Sequence, residues 1–377
     1  MTKTMPMRVF VTGATGWIGT AVVSELLAAG HRVLAMAHGD AGEVKLRARG
    51  VDVLRADLRE PLRLAEGVRA TDATIHLAFH MDFADFANIN RIDREAIDVM
   101  LDAAKGTNKA FVGTNGTLVV ARPDHVSVES DTPLTSSPLA VRWQAERLVI
   151  DAAARGVRGS VVRLAPTVHG AGDHGFVAML IQTAREKKAA AYLDEGHSRW
   201  PAVHRDDAAR LYRLAVESAL PGAVLHGTAE EGISMRAIAE TIGLGLGVPT
   251  KSVPAAEAAT HFGWMSMVVG LDNRASSEAT RERLGWTPTE PGLLVDMRAH
   301  YFEAPPPRHR SRRRAPSARP RRECGRGACG GCRRRGRRRR AARSARDDAA
   351  PRGGGRTSGT RDRTPPSVRT AGGAAPS

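Results

Sequence analysis

Cysteine is nearly absent from this chain of 377 residues: Cys324, Cys329 and Cys332 are the three it has, all towards one end. The first 303 residues have no thiol and thus no disulfide, which fits a reducing compartment. No apolar run reaches the roughly 20 residues of a membrane span. The apolar stretch at the N-terminus is broken by Gly13, Gly16 and Gly19, which excludes a secretory leader of ordinary form. These absences lead us to expect a soluble, cytoplasmic protein with no membrane partner. Tyrosine is scarce too: Tyr192, Tyr212 and Tyr301 are the three present, and none has a lysine four positions later.

The formal charge of +16 at first suggests nucleic acid as a partner. Its location removes most of that suggestion. From residue 304 onward there are 23 arginines, no lysine and 4 acids, whereas residues 1–303 hold 33 basic and 36 acidic side chains. The body is mildly acidic, and nucleic acid is expected to bind only through the tail, if at all. From Pro305 the composition turns to Arg, Gly, Pro, Ala and Ser, too poor in apolar surface to offset chain entropy. Residues 304–377 are therefore expected to be disordered. The spacing of the three cysteines is similar to a plant-type iron–sulfur loop, but a fourth ligand is missing. We read the tail as a GC-rich frame continued past its proper end. Deleting residues 304–377 should leave folding and dinucleotide binding unchanged, and a loss of either in thermal denaturation or calorimetry overturns that reading.

What the body does contain is alternation. Residues 8–11 form an apolar strand, three glycines make a turn, and residues 18–29 have helical spacing ending at Gly30. A second strand follows at 32–37, which gives a βαβ unit and hence parallel strands in a covered sheet. Strand-like runs recur at 51–55, 73–78, 110–114 and 160–164, with helical patterns at 91–104 and 143–154. The expectation is an α/β fold, a doubly wound parallel Rossmann sheet. Residues 1–165 read as a dinucleotide-binding domain. Residues 166–303, where the pattern becomes irregular, read as the remaining core strands and a smaller region covering the substrate.

Gly13, Gly16 and Gly19 directly follow the first strand and open the first helix. In that context the spacing reads as a phosphate elbow: one glycine for the turn, one for close approach of a pyrophosphate, one for helix–strand packing. Thr15, Trp17 and Ile18 belong to the same elbow, and the helix N-terminus offers free amides and a positive dipole end. With this elbow, "ADL" at 56–58, "IHLA" at 75–78, "VHG" at 168–170, "WPAVHRDDAA" at 200–209 and "RERLGWTP" at 281–288 resemble the extended short-chain dehydrogenase/reductases. That group is also called the NAD-dependent epimerase/dehydratase family, and the matches span about residues 7–302. The resemblance implies that Asp57 and Leu58 contact the adenine and that Ala78 lines the cofactor groove. It also implies that the Pro166–Gly170 segment, including Pro166, Val168 and His169, lies beside the nicotinamide, and that Asp207 organises the loop and helix after the substrate cleft. Members that prefer NAD place an acid at the end of the second strand. Here Ala37, His38 and Gly39 precede the first acid, Asp40. His38 or Lys45 could attract a 2′-phosphate, so NADP is expected ahead of NAD.

The same resemblance exposes a departure. The family's proton chemistry uses Tyr and Lys four residues apart, with a Glu four further on. Aligned on Glu146, these positions hold Pro138 and Arg142. Arginine can hold the nicotinamide ribose but cannot relay a proton. The expected site therefore combines Thr117 or Asn115 at the substrate oxygen, Arg142 at the cofactor, and His169 or His80 as the proton source; Asp82 is a further option. No histidine spacing suits a metal, and none is expected. Two functions remain open. One is an NAD(P)-dependent oxidoreductase acting on the carbonyl or alcohol of a small molecule. The other is a non-catalytic NAD(P)-binding regulator. A homodimer is implied by the resemblance alone.

Overall fold

The computed structural model describes residues 5–80, 85–137 and 139–302; Asp82, Pro138 and the cysteine-bearing tail lie outside the described residues. The chain opens with β1 (Arg8–Thr12), α1 (Trp17–Ala28), β2 (Arg32–Ala37), α2 (Asp40–Arg47) and β3 (Asp52–Arg55). Next come α3 (Pro61–Arg69), β4 (Ala73–His76), α4 (Phe86–Ala103), β5 (Ala110–Gly116), β6 (Val126–Ser127), α5 (Arg142–Ile150) and β7 (Arg158–Leu164). Then follow β8 (Thr167–His169), α6 (Phe176–Lys187), β9 (Ala190–Leu193), β10 (Arg199–His204), α7 (Arg205–Ser218) and β11 (Ala223–Gly227). The last are β12 (Glu230–Ser234), α8 (Met235–Leu246), β13 (Thr250–Val253), α9 (Ala258–Phe262), α10 (Ser266–Val269), β14 (Arg274–Ala275), α11 (Glu278–Leu284) and α12 (Leu293–His300).

Seven parallel strands make one sheet in the order β11-β7-β5-β4-β1-β2-β3, so the doubly wound α/β expectation holds. The order reverses at β1, which lies between β2 and β4. Such a switch opens a crevice at the C-terminal ends of the strands. Strand alternation sends Val9 and Val11 to one face, against Val22 and Leu26 of α1 and Leu211 of α7. Phe10 points to the other face, against Leu64 and Val68 of α3 and Met100 of α4. Each such fully buried side chain contributes about 1.5–3 kcal/mol. A third apolar cluster joins α6, β10, α8 and α12 through Ile181, Trp200, Ile238 and Met297, and Leu118 just beyond β5 packs onto it. Among the described residues no helix is long and apolar enough to cross a membrane.

Two boundaries differ from the sequence reading for identifiable reasons. The fourth strand stops at His76 rather than residue 78, because the Leu77 and Ala78 amides donate to the Thr12 hydroxyl, each at 3.1 Å, instead of continuing the ladder. α4 begins at Phe86, five residues earlier than the periodicity indicates, and the Asn90 side-chain amide donates to the Phe86 carbonyl at 2.6 Å across its first turn.

Candidate active site

The elbow after β1 is built without side chains. Gly13 has φ +66°, and a Cβ there would stand 2.7 Å from the Ala78 amide, so the loops after β1 and β4 touch backbone to backbone. A Cβ on Gly19 would run into the Gly13 carbonyl oxygen. Gly16 caps α1 with no side-chain hydrogen bond, and the first turn of that helix carries no acid. The amides at the head of this 12-residue helix are left for an external anion, a fit to the diphosphate of a dinucleotide. Trp17 ties the elbow to β8 by donating from Nε1 to the Val168 carbonyl at 3.1 Å, and the Arg205 guanidinium lies 4.2 Å over its ring. The structure thus brings Trp17 and Val168 together.

Beneath the elbow lies a buried polar knot. Since Thr12 Oγ1 accepts two amides, its single proton goes to His76 Nδ1 at 2.8 Å. His76 therefore carries its own proton on Nε2 and donates it to the buried Asp93 at 3.1 Å. Thr114, at the end of β5, donates to the His76 carbonyl at 2.6 Å and meets the Tyr212 hydroxyl at 2.8 Å.

Beyond β3, Asp57 pairs with Arg59 at 2.8 Å, and that hydrogen bond holds its carboxyl down at about 2. Leu58 is buried in the core. His80 Nε2 stands 4.0 Å from Asp57, beyond hydrogen-bond distance, and has no hydrogen-bond partner among the described residues. Asp40 is turned to solvent, 84% exposed, and pairs with Arg55 at 2.5 Å. His38, two residues before it, is exposed.

The residues expected around the substrate oxygen lie differently. Along β5 and beyond, Thr114, Gly116 and Leu118 are partly exposed while Asn115 and Thr117 between them are buried. Thr117 is fully buried and its hydroxyl accepts from Asn273 Nδ2 at 3.0 Å, so it does not face an open cleft. Asn115 Nδ2 donates to Glu146 at 2.7 Å, and Oδ1 accepts from the Gly116 amide at 2.9 Å and Arg142 Nε at 3.0 Å. Both side chains are buried in the body rather than turned to an open cleft. The same alternation separates β8: Pro166 and Val168 are partly exposed, whereas Thr167 and His169 point inward. His169 is 1% exposed, bonded through Nδ1 to Asp296 at 2.8 Å and packed edge-on against His204 at 5.4 Å. Burial pushes its pKa down, with Asp296 opposing. The structure joins Arg142 to Asn115; it places His169 with Asp296 and His80 with Asp57.

Arg142, at the first position of α5, is partly buried, its guanidinium 3.9 Å over the Phe79 ring. Burial lowers its pKa against the pull of the Asp93 and Glu146 carboxylates, yet a guanidinium stays protonated. Glu146 and Arg163 beneath it form a fully buried pair at 2.5 Å. Sequence reasoning passed over Phe79, Asp93 and Arg163. An acid on the apolar stripe of α4 and an arginine inside the apolar β7 were the available signals.

A parallel sheet with a switch point and a bare glycine elbow defines a dinucleotide-binding α/β protein. Residues 9–225 match the model of the NAD dependent epimerase/dehydratase family. The chain belongs to that family. An uncharacterized protein of Saccharomyces cerevisiae is 41% identical over 297 residues, covering 78% of this chain and 99% of the relative. A 4-hydroxy-2-methyl-3-oxo-4-farnesyl-3,4-dihydroquinoline-1-oxide ketoreductase of Stigmatella aurantiaca is 28% identical, covering 70% of this chain and 82% of its own. In fold, the chain is similar to a dTDP-glucose 4,6-dehydratase from Streptomyces venezuelae, with TM-score 0.65, 18% identity, and 78% and 95% of the two chains covered.

Proposed function

We propose that the chain is a nicotinamide-dinucleotide-dependent oxidoreductase interconverting a carbonyl and an alcohol on a small molecule. The uncapped head of α1 within the glycine elbow carries this reading, and the ketoreductase relative supports a carbonyl as the reacting group. When bound, the dinucleotide supplies or accepts the hydride. The backbone of Thr15, Gly16, Trp17, Ile18 and Gly19 holds the diphosphate. Ala78, Pro166 and Val168, partly exposed at or just beyond the C-terminal ends of β4 and β7, line its groove. NADP(H) is favoured over NAD(H), because Asp40, the first acid after β2, is already neutralised by Arg55.

Arg142 takes the lysine's place as a fixed cation that holds ribose hydroxyls and polarises the carbonyl oxygen. It keeps its proton, so it stabilises charge and relays nothing. With His169 closed off by Asp296 and His80 Nε2 buried without a hydrogen-bond partner among the described residues, the proton comes from solvent. The full chain given NADPH and a panel of aldehydes and ketones should oxidise the cofactor, and faster than with NADH. Arg142→Ala should lower kcat/KM by about 10²–10³-fold, while His80→Ala and His169→Gln stay near wild type. A steep loss in either histidine variant returns the proton to that side chain. Tight dinucleotide binding without turnover across a broad panel makes the chain a cofactor-sensing regulator instead.

A further inference from the structure

We infer that Asn115 and Glu146 are positioning residues whose task is to aim the Arg142 guanidinium. This rests on the reading of Arg142 given above and goes beyond it, since both groups act through the arginine and touch neither substrate nor cofactor. A lysine ammonium is a point charge with rotatable donors and needs little alignment. A guanidinium presents its donors only in its own plane and along fixed directions, so an arginine at this position works only if plane and direction are both set.

The structure sets both. Arg142 Cζ stands 3.9 Å over the Phe79 ring, and we take stacking on that face to set the plane. Asn115 Oδ1 accepts from Nε at 3.0 Å, which fixes rotation within that plane. Among the described residues neither terminal amino group has a hydrogen-bond partner, so both remain available for ligand oxygens.

The direction depends on which way the Asn115 amide faces, and its neighbours allow one assignment. Gly116 N–H and Arg142 Nε–H both require an acceptor, at 2.9 and 3.0 Å, so the amide oxygen faces them. The amino group then faces Glu146 Oε2 at 2.7 Å, where a carboxylate can only accept. Glu146 is buried and held from below by Arg163 Nε and Nη2. The carboxylate thus has a fixed place and charge, and it excludes the flipped amide. An uncharged amide at 146 can present its own NH2 to Asn115, draw the Asn115 oxygen towards itself, and set an amino group against Arg142 Nε–H.

A double-mutant cycle tests this on the full chain, with dinucleotide Kd from calorimetry and kcat/KM as readouts and thermal denaturation as the check on folding. Asn115→Ala leaves the Glu146–Arg163 pair in place. It should weaken NADPH binding and lower kcat/KM by roughly tenfold, about 1.4 kcal/mol, in the wild-type background. In Arg142→Ala, and in Arg142→Lys, which has no Nε–H to orient, the same change should have no further effect. Glu146→Gln should behave like Asn115→Ala in the same cycle, and it decides the matter if Asn115→Ala does not fold. Losses that multiply across the cycle overturn the proposal, because a group acting independently of Arg142 costs the same with or without it. If no compound on the panel is turned over, the oxidoreductase reading fails while the cycle in Kd still judges the positioning of Arg142.

Discussion

Gly16→Val should abolish measurable dinucleotide binding while the apoprotein still folds. Gly16 sits at φ −74°, ψ 175°, an extended conformation open to every L-residue, and a Cβ there meets only the Gly13 carbonyl oxygen at 3.2 Å. The backbone therefore tolerates a side chain with a small adjustment. What it does not tolerate is the loss of the bare surface: the valine methyls stand at the head of α1, where a diphosphate must approach the amides. Affinity should fall by at least about 100-fold, ~2.7 kcal/mol, as read by calorimetry, with the apoprotein's melting temperature little changed. Gly19 is a poor choice for this test, because a side chain there strikes the Gly13 carbonyl and breaks the elbow itself. Wild-type affinity in Gly16→Val would take the elbow out of the cofactor site and the oxidoreductase reading with it.

The fold was legible because its signals are local. Apolar runs of four to six residues, and helical stripes between some of them, translate into β1 to β5, α1, α4 and α5, whereas α2 and α3 were not among the helices read. The elbow was legible because three glycines at that spacing after a strand have few other uses. The side-chain site was less so, although one local rule carried more than the motif comparison used. In "GTNGTL" and "PTVHG" successive residues of an extended chain face opposite ways. Thus Asn115 and Thr117 share an inward face, and Val168 and His169 cannot both line the cofactor groove. Once Val168 is assigned to the groove, alternation alone turns His169 towards the body. Other features had no local trace. That His80 stands near Asp57, or that His169 meets Asp296 across 127 positions of sequence, follows from the crossing of distant elements.

The second large effect is on stability and concerns the layer under the site. Arg163 interrupts the apolar β7 and is 1% exposed; its guanidinium is spent on Glu146, on the Glu129 carbonyl at 3.4 Å and on His226 Nε2 at 3.4 Å. Arg163→Met keeps the length and apolar stem of the side chain but leaves the Glu146 carboxylate buried with Asn115 as its remaining donor. Removing one member of such a pair costs about 3–5 kcal/mol, since the other charge stays desolvated and uncompensated. For a domain of this size that lowers the melting temperature by on the order of 10 °C. Glu146→Leu added to Arg163→Met removes the stranded charge as well, and most of the lost stability should return. The double variant should still fail to aim Arg142, because Asn115 has lost the acceptor that fixes its amide. Stability and cofactor affinity should therefore part company in the double variant: thermal denaturation near wild type, dinucleotide Kd still raised. If affinity returns together with stability, the buried pair serves the fold alone and Arg142 is oriented by Phe79 without it.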